Sequence, residues 1–177
     1  MENKLDLVKE LATKLHGEQK RKYSGEPYVT HTFRVAKTVE EHGGDENMVY
    51  AALLHDVLED TETTEVELFS MLSNIIGHKD SVDTVRMVKE LTDVFTTEKY
   101  PDINRVGRKE MESFRLGMVS KRSQTIKYAD LLDNGVDILK NDPKFAKVYL
   151  KEKRMIMDNM DKGNQTLYKK CMEFLNL

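Results

Sequence analysis

The sequence has little cysteine, little proline and no long apolar run, and each shortage excludes a class of protein. Cys171 is the only cysteine, so no internal disulfide can form, which favours a reducing cytoplasm. No apolar stretch approaches the roughly 18 residues that a membrane span needs. The 28 basic and 31 acidic residues give a net charge of -3, which argues against a nucleic-acid groove. We therefore expect a cytoplasmic protein with neither membrane nor nucleic-acid partners.

Only three prolines interrupt the chain, and strand-like alternation is nearly absent. Apolar residues instead recur at three- and four-residue spacing, as in amphipathic helices. Thr64 and Glu67 have the spacing of a capping box, and Asp142-Pro143 has the form of a helix start. We predict an all-α, single-domain bundle of about eight or nine helices over residues 1–177. The predicted helices span about 3–16, 29–42, 46–60, 64–76, 81–92, 105–120, 125–139, 142–160 and 165–175.

A His-Asp pair stands out inside the most apolar of these helices. His55 and Asp56 follow the run Ala51–Leu54 and precede two further apolar residues. A lone histidine in such a run is ordinarily a core residue, but a buried aspartate is costly unless it is paired or bound to a metal. Glu59 and Asp60 come one turn later, either as a solvated helix end or as groups that act on water.

Two further fragments offer matching ligands. His31 lies on a helix with apolar neighbours, and Asp130 shares a helix face with Asn134 at i+4. Each alone is compatible with an ordinary core, capping or surface residue. Together with the His55-Asp56 pair they make two imidazoles and two carboxylates, a donor set that suits Mn²⁺, Fe²⁺ or Zn²⁺. Such an ion activates water and polarises a phosphoryl oxygen.

This order of ligands, H…HD…D, resembles the HD superfamily of metal-dependent phosphohydrolases. More specifically, it is similar to the (p)ppGpp hydrolase domain of the RelA/SpoT family and to the single-domain small alarmone hydrolases of the stringent response. The resembling segments are SGEPYVTH (24–31), AALLHDVLEDTETT (51–64), VKELTD (88–93) and KYADLLDNG (127–135).

The resemblance implies hydrolysis of (p)ppGpp to GDP or GTP and pyrophosphate, with one divalent ion, usually Mn²⁺. The implied metal ligands are His31, His55, Asp56 and Asp130. Glu59 and Asp60 match the acidic pair that handles the attacking water. The implied substrate contacts are Lys22, Ser24, Lys127 and Asn134. The charged segment 93–124 either supplies cations for pyrophosphate or is simply solvated; its candidates are Lys99, Arg105, Arg108 and Arg115.

Departures from the family pattern keep other functions open. Thr32 replaces a proline, Lys22 stands where the family often stacks an arginine on guanine, and Asp137 replaces a threonine. These changes favour, as alternatives, a dNTP, a nucleoside monophosphate or NADPH as substrate. A non-catalytic nucleotide-binding module is a further alternative, against which the intact ligand set and Glu59-Asp60 argue. The remaining histidines, His16, His42 and His78, form no second metal motif, so we expect one metal and surface or capping roles for all three. An oligomer is compatible with the pattern, although no partner surface stands out.

Overall fold

The computed structural model describes residues 3–176, and within them helices account for all regular structure apart from one isolated bridge between Lys20 and Pro27. The all-α prediction is confirmed. The chain divides into two compact units, the first ending at Thr92 and the second beginning at Asp93. The single domain predicted over residues 1–177 stays a prediction, and its ends, residues 1–2 and 177, lie outside the described residues. No helix among those described is long and apolar enough to cross a membrane.

Six helices build the first unit: α1 Lys4–His16, α2 Val29–Glu41, α3 Glu46–Leu54, α4 Val57–Asp60, α5 Glu65–Ile76 and α6 His78–Leu91. α3 is apolar on every side, and all its residues from Met48 to Leu54 are buried. A helix of that character is stable only when other elements surround it, and α1, α2 and α6 all pack against it. The most buried helix therefore leads straight into the His55-Asp56 pair.

The predicted helix 46–60 was wrong in one respect, because it breaks at His55 and Asp56. The backbone of Asp56 (φ -95°, ψ -5°) departs from helical geometry toward the bridge region, and its carbonyl starts the new single turn α4 by accepting from the amide of Asp60 at 2.8 Å. Periodicity alone could not show this break, since apolar residues continue across it.

Helix ends in this unit follow local capping chemistry. Asn3 caps α1, Asp45 caps α3, and the predicted capping box of Thr64 and Glu67 opens α5. The predicted start of the next helix at residue 81 was wrong by three residues. Gly77, at φ +90°, ends α5 and starts α6 directly, and the buried Ser81 hydroxyl donates to its carbonyl at 2.8 Å.

Four helices build the second unit: α7 Arg105–Met118, α8 Lys121–Asn141, α9 Pro143–Asn159 and α10 Gln165–Phe174. α8 begins four residues before the predicted Thr125, because the Ser120 side chain accepts from the Ser123 amide and caps it. The predicted start at Asp142-Pro143 is confirmed, with the Asp142 side chain accepting from the Phe145 amide.

The core of the second unit gathers around Tyr128. Its ring is fully buried, and its hydroxyl donates to the Met160 carbonyl at 2.6 Å. Met157 and Met160 are buried in the same cluster. The Cys171 thiol donates to the Tyr128 carbonyl at 3.3 Å, and burial, followed by the charge of Asp130, raises its pKa to about 12.

Gly163 brings the connection between α9 and α10 against α8. A Cβ built there would lie 2.5 Å from the Tyr128 ring and 2.9 Å from the Thr125 amide nitrogen. Both neighbours are fixed, because the Tyr128 ring is buried and the amide is helix backbone. Only glycine fits this approach.

We expect Gly163→Ala to lower the free energy of unfolding by about 1–3 kcal/mol, because the added methyl overpacks a rigid contact. Urea unfolding monitored by circular dichroism measures the change. The control is Asp161→Ala, an exposed position two residues away, which should change stability by less than about 0.5 kcal/mol. Equal stability of Gly163→Ala and the wild type would contradict the packing described here.

Candidate metal centre

His31, His55 and Asp56 meet inside the first unit. Nε2 of His55 lies 3.1 Å from Oδ2 of Asp56, and Nε2 of His31 lies 3.7 Å from the same oxygen. The two imidazole rings meet edge to face with centroids 5.3 Å apart. Both histidines are buried, and Asp56 is half-buried.

This geometry fits a divalent ion. One ligand atom from each of the three residues lies within 4.8 Å of the others. Two donors that each stand about 2.1 Å from an ion, at right angles to one another, are about 3 Å apart. The distance of 3.1 Å from His55 Nε2 to Asp56 Oδ2 matches that figure. The distance of 3.7 Å from His31 Nε2 to the same oxygen is longer, and a small side-chain rotation would shorten it to match. Two neutral imidazoles and one carboxylate are also a common donor set for transition ions.

A backbone contact orients the His55 ring. Its Nδ1 lies 2.8 Å from the Ala52 carbonyl. A carbonyl only accepts, so Nδ1 carries the proton and Nε2 presents its lone pair toward Asp56. A hydrogen bond from the ring nitrogen that does not bind the metal is the usual way in which proteins fix the tautomer of a metal-binding histidine.

Tyr28 is a member of the centre to which we assigned no role from sequence. Its hydroxyl donates to Oδ2 of Asp56 at 2.8 Å, and its ring meets the His31 ring edge-on at 5.8 Å. Burial, and then the negative charges of Asp56 and Asp60, raise the pKa of Tyr28 far above its ordinary value. The phenol therefore stays protonated and remains a donor. Its place in SGEPYVTH, three residues before His31, was the available signal.

His16 supports Tyr28 from the other side. The expectation of a surface or capping role was wrong for this residue, which is 5% exposed. Its Nδ1 lies 2.8 Å from Oε1 of Gln19, and its ring centroid is 5.0 Å from that of Tyr28. The tyrosine is thus packed between two histidines, one of which is a candidate ligand.

Glu59 and Asp60 lie on the single turn α4, directly after the centre, and both are exposed overall. The Asp60 carboxyl nevertheless faces the centre: desolvation and then the charge of Asp56 raise its pKa, against the opposing hydrogen bond from Tyr28. Of the two carboxylates on α4, Asp60 is therefore the one whose surroundings include Asp56 and Tyr28.

The loop between α1 and α2 holds the predicted base contacts. Lys22 and Ser24 are exposed, and the Lys22 ammonium lies 5.0 Å from the centroid of the Tyr23 ring. The neighbouring Arg21 is buried, with its guanidinium 5.8 Å from the Tyr28 ring. Of the two adjacent cations, the lysine is therefore the one presented at the surface.

The remaining predicted residues lie together in the second unit. Asp130 is buried on α8; its Oδ2 pairs with the Lys127 ammonium at 3.0 Å, and its Oδ1 accepts from the Asn134 amide at 2.6 Å. The three residues occupy one helix face, at i-3 and i+4 from the aspartate. Asp130 as a fourth metal ligand stays a prediction.

Three of the four cations proposed from segment 93–124 are held by their own unit. Arg105 makes a two-pronged ion pair with Glu152 at 2.7 and 2.9 Å. Arg115 pairs with the buried Glu112, and Arg108 donates to the Ile103 carbonyl. Lys99 is exposed on the loop before α7.

A family model described as "HD domain" matches residues 9–154, which is most of the chain. The chain belongs to the HD-domain family. This family implies a divalent metal, and the His31, His55 and Asp56 donors of this HD domain fit one. The assignment agrees with the resemblance found in the sequence.

Similar proteins include several named guanosine-3′,5′-bis(diphosphate) 3′-pyrophosphohydrolase. This HD domain is 36% identical to the MESH1 enzyme of Drosophila melanogaster over 72% of this chain and 65% of that protein. It is 32% identical to human MESH1 over 76% of this chain and 69% of that protein. A probable enzyme of the same name from Mycoplasma pneumoniae is 36% identical over 68% of this chain, but the chain spans only 16% of its length.

Two solved structures share the fold. One is a metazoan ortholog of SpoT that hydrolyzes ppGpp, with a TM-score of 0.79 and 28% identity, covering 99% of this chain and 96% of that one. The other, from Listeria monocytogenes, has a TM-score of 0.63 at 22% identity, covering 88% and 97%, and shows likeness of fold alone.

We expect Tyr28→Phe to weaken Mn²⁺ binding by about 10- to 100-fold, the usual cost of losing a hydrogen bond to a metal ligand. Calorimetric titration of metal-free protein measures the change. Tyr100→Phe is the matched control, because the ring of Tyr100 packs on Phe95 and no contact of its hydroxyl is part of the centre. Unchanged affinity in Tyr28→Phe would show that the phenol does not orient Asp56.

Proposed function

We propose that this chain is a metal-dependent phosphohydrolase that removes the 3′-pyrophosphate of (p)ppGpp, giving GDP or GTP and pyrophosphate. The observation that carries the proposal is the His31, His55 and Asp56 triad, set at donor spacing in a chain of the HD family. The 3′-pyrophosphohydrolase relatives of fly and human, and the structural neighbour that hydrolyzes ppGpp, support the choice of substrate.

The proposed cofactor is one Mn²⁺ ion, which accepts mixed nitrogen and oxygen donors. Asp130 is the proposed fourth ligand, on the strength of the sequence resemblance. The HD model runs without interruption from residue 9 to residue 154, which supports the further proposal that residues 1–177 act as one domain. We also propose a small-molecule nucleotide as the partner and the cytoplasm as the compartment, with neither nucleic acid nor membrane involved.

A divalent ion supplies Lewis-acid activation of water and of a phosphoryl oxygen when it is bound. Glu59 and Asp60 would orient the attacking water and accept its proton, because they follow Asp56 by one turn on α4. Tyr28 would hold Asp56 in place through its hydrogen bond. His55 would keep its Nε2 lone pair available through the Ala52 contact.

The proposed substrate contacts divide between base, sugar and phosphate. Lys22 and Ser24, exposed on the loop before α2, would contact the base. Asn134 would contact the sugar through its amide oxygen while its amide nitrogen donates to Asp130. Lys127, paired with the same carboxylate, would offer its remaining donors to phosphate.

A second substrate class is favoured by one observation. Arg21 is buried against Tyr28, and Lys22 is the exposed cation of the loop. A lysine ammonium lacks the planar surface with which an arginine stacks on guanine. This arrangement suits a less guanine-specific site and keeps a dNTP, a nucleoside monophosphate or NADPH as alternative substrates.

We expect the protein with Mn²⁺ to convert ppGpp to GDP and pyrophosphate, and to act more slowly on dGTP, GMP and NADPH. Ion-exchange chromatography of the products, with phosphate and pyrophosphate quantified separately, measures this. Asp56→Ala and Asp130→Ala should each abolish turnover and weaken Mn²⁺ binding, because each loses a proposed ligand. Asp158→Ala, an exposed helical carboxylate, is the control.

The outcomes separate the proposals. Faster turnover of another nucleotide would replace the substrate and keep the enzyme class. Binding of ppGpp without turnover at saturating Mn²⁺ would leave a nucleotide-binding module. Full Mn²⁺ affinity in Asp130→Ala would remove that residue from the ligand set.

We expect Glu59→Gln and Asp60→Asn to lower kcat by about 10²- to 10⁴-fold, the usual contribution of acid–base groups. Both variants should bind Mn²⁺ as the wild type does, since neither residue is a proposed ligand. Steady-state kinetics at saturating Mn²⁺, combined with metal titration, checks both statements. The control is Glu62→Gln, an exposed carboxylate just beyond α4. Loss of metal binding in either variant would change its role from water handling to ligation.

A further inference from the structure

Five charged side chains gather inside the second unit. Lys109 comes from α7, Lys127 and Asp130 from α8, Lys153 from α9, and Asp93 from the segment before α7. Their ion pairs include Lys109 to Asp93 at 3.1 Å and Lys127 to Asp130 at 3.0 Å. All four of these paired side chains are less than a quarter exposed.

Lys153 is the unmatched member of this lysine cluster. Its ammonium lies 5.4 Å from the centroid of the Tyr149 ring, and within residues 3–176 it has neither an ion pair nor a hydrogen bond. The side chain is half-buried. Three ammonium groups thus share two carboxylates, which leaves one positive charge in excess.

Residues outside the lysine cluster help to hold its two carboxylates, Asp93 and Asp130, in place. Glu112, which is 1% exposed, accepts from the backbone amides of Val94 and Phe95 at 3.2 Å each, and so fixes the chain beside Asp93. The Asn134 amide donates to Asp130. Asp130 and the backbone beside Asp93 are therefore held in place by hydrogen bonds to groups outside the lysine cluster.

The electrostatics agree with an excess of positive charge. Burial tends to raise the pKa of Asp93, but the charges of Lys127, Lys109 and Lys153 outweigh it and lower that pKa. Burial, then the like charge of Lys127, lowers the pKa of Lys153 to about 8, against the attraction of Asp130. An anion that reached the Lys153 ammonium would remove this penalty.

Phosphate is the anion that suits three ammonium groups. Each ammonium has three donors and acts as a compact point charge, whereas phosphate presents several charged oxygens. The arginines of the same unit are engaged elsewhere, with Arg105 bound to Glu152 and Arg115 to Glu112. The lysine cluster, rather than those arginines, is then the source of cations for a phosphate group.

We propose that Lys153, together with Lys109 and Lys127, binds a phosphate group of the substrate, an assignment that rests on the proposed phosphohydrolase function. It is an alternative to the hypothesis that Lys99, Arg105, Arg108 and Arg115 supply the cations for pyrophosphate. Lys153 is thereby a substrate-binding residue supplied by α9, a helix in which the sequence motifs assign no site residue.

The test measures binding of inorganic pyrophosphate to metal-free full-length protein in EDTA, by calorimetry, so that it is independent of turnover. We expect the wild type to bind and Lys153→Met to bind about 10- to 100-fold more weakly, the range expected for losing a charge-assisted hydrogen bond. Lys153→Arg, which keeps the charge, should retain most of the affinity. Thermal unfolding of each variant verifies that it is folded.

Lys144→Met is the matched control, because Lys144 is exposed near the start of the same helix. It should bind pyrophosphate as the wild type does. Absence of binding in the wild type, equal binding by Lys153→Met, or an equal loss in Lys144→Met would each overturn the proposal. The protein could also bind pyrophosphate through Lys153 and yet fail to hydrolyse ppGpp. That result would support the phosphate site and reject the proposed reaction.

Discussion

The structure depends on how one carboxylate is accommodated beside an apolar helix. Asp56 follows eight consecutive buried residues, Met48 to His55, in a position where an unpartnered charge would be strongly unfavourable. Its Oδ2 accepts from the Tyr28 hydroxyl, and the Nε2 atoms of His31 and His55 lie within 3.7 Å of that oxygen, at the spacing of ligands to one divalent ion. The helix ends just before this pair, and Asp56 begins the turn on which Glu59 and Asp60 lie. The contacts that stabilise Asp56 in the first unit are therefore the same contacts that place it in the candidate metal centre.

Much of the fold could be predicted from short-range signals. Periodicity and capping residues located α1, α2, α5 and α9 to within a residue or two, because their ends are set by neighbours in sequence. The errors arose where the hydrophobic pattern marks no boundary. α6 starts directly after Gly77, which has a positive φ, and α8 starts at the Ser120 cap. The helix ends after Leu54 although apolar residues continue beyond Asp56.

The candidate site likewise contains residues that the sequence predicted and residues that it did not. The triad and the Lys127, Asp130 and Asn134 face were predictable, since each uses a motif or a helical spacing. Tyr28 lies within a recognisable motif, but the sequence did not indicate that its hydroxyl donates to Asp56. Lys153 had no signal at all: it is one of many lysines on an amphipathic helix, and only the convergence of α7, α8 and α9 distinguishes it from its neighbours.

The burial of Cys171 has a practical consequence for handling the protein. Only the thiolate reacts readily with oxidants, alkylating agents or a second thiol. Burial raises the pKa of this thiol to about 12, so very little of it is ionised at neutral pH, and the residue is 1% exposed. The native chain should tolerate air and peroxide without cross-linking. A maleimide dye should therefore label Cys171 only after the packing between α8 and α10 has opened. The rate of labelling then measures that opening without any engineered cysteine.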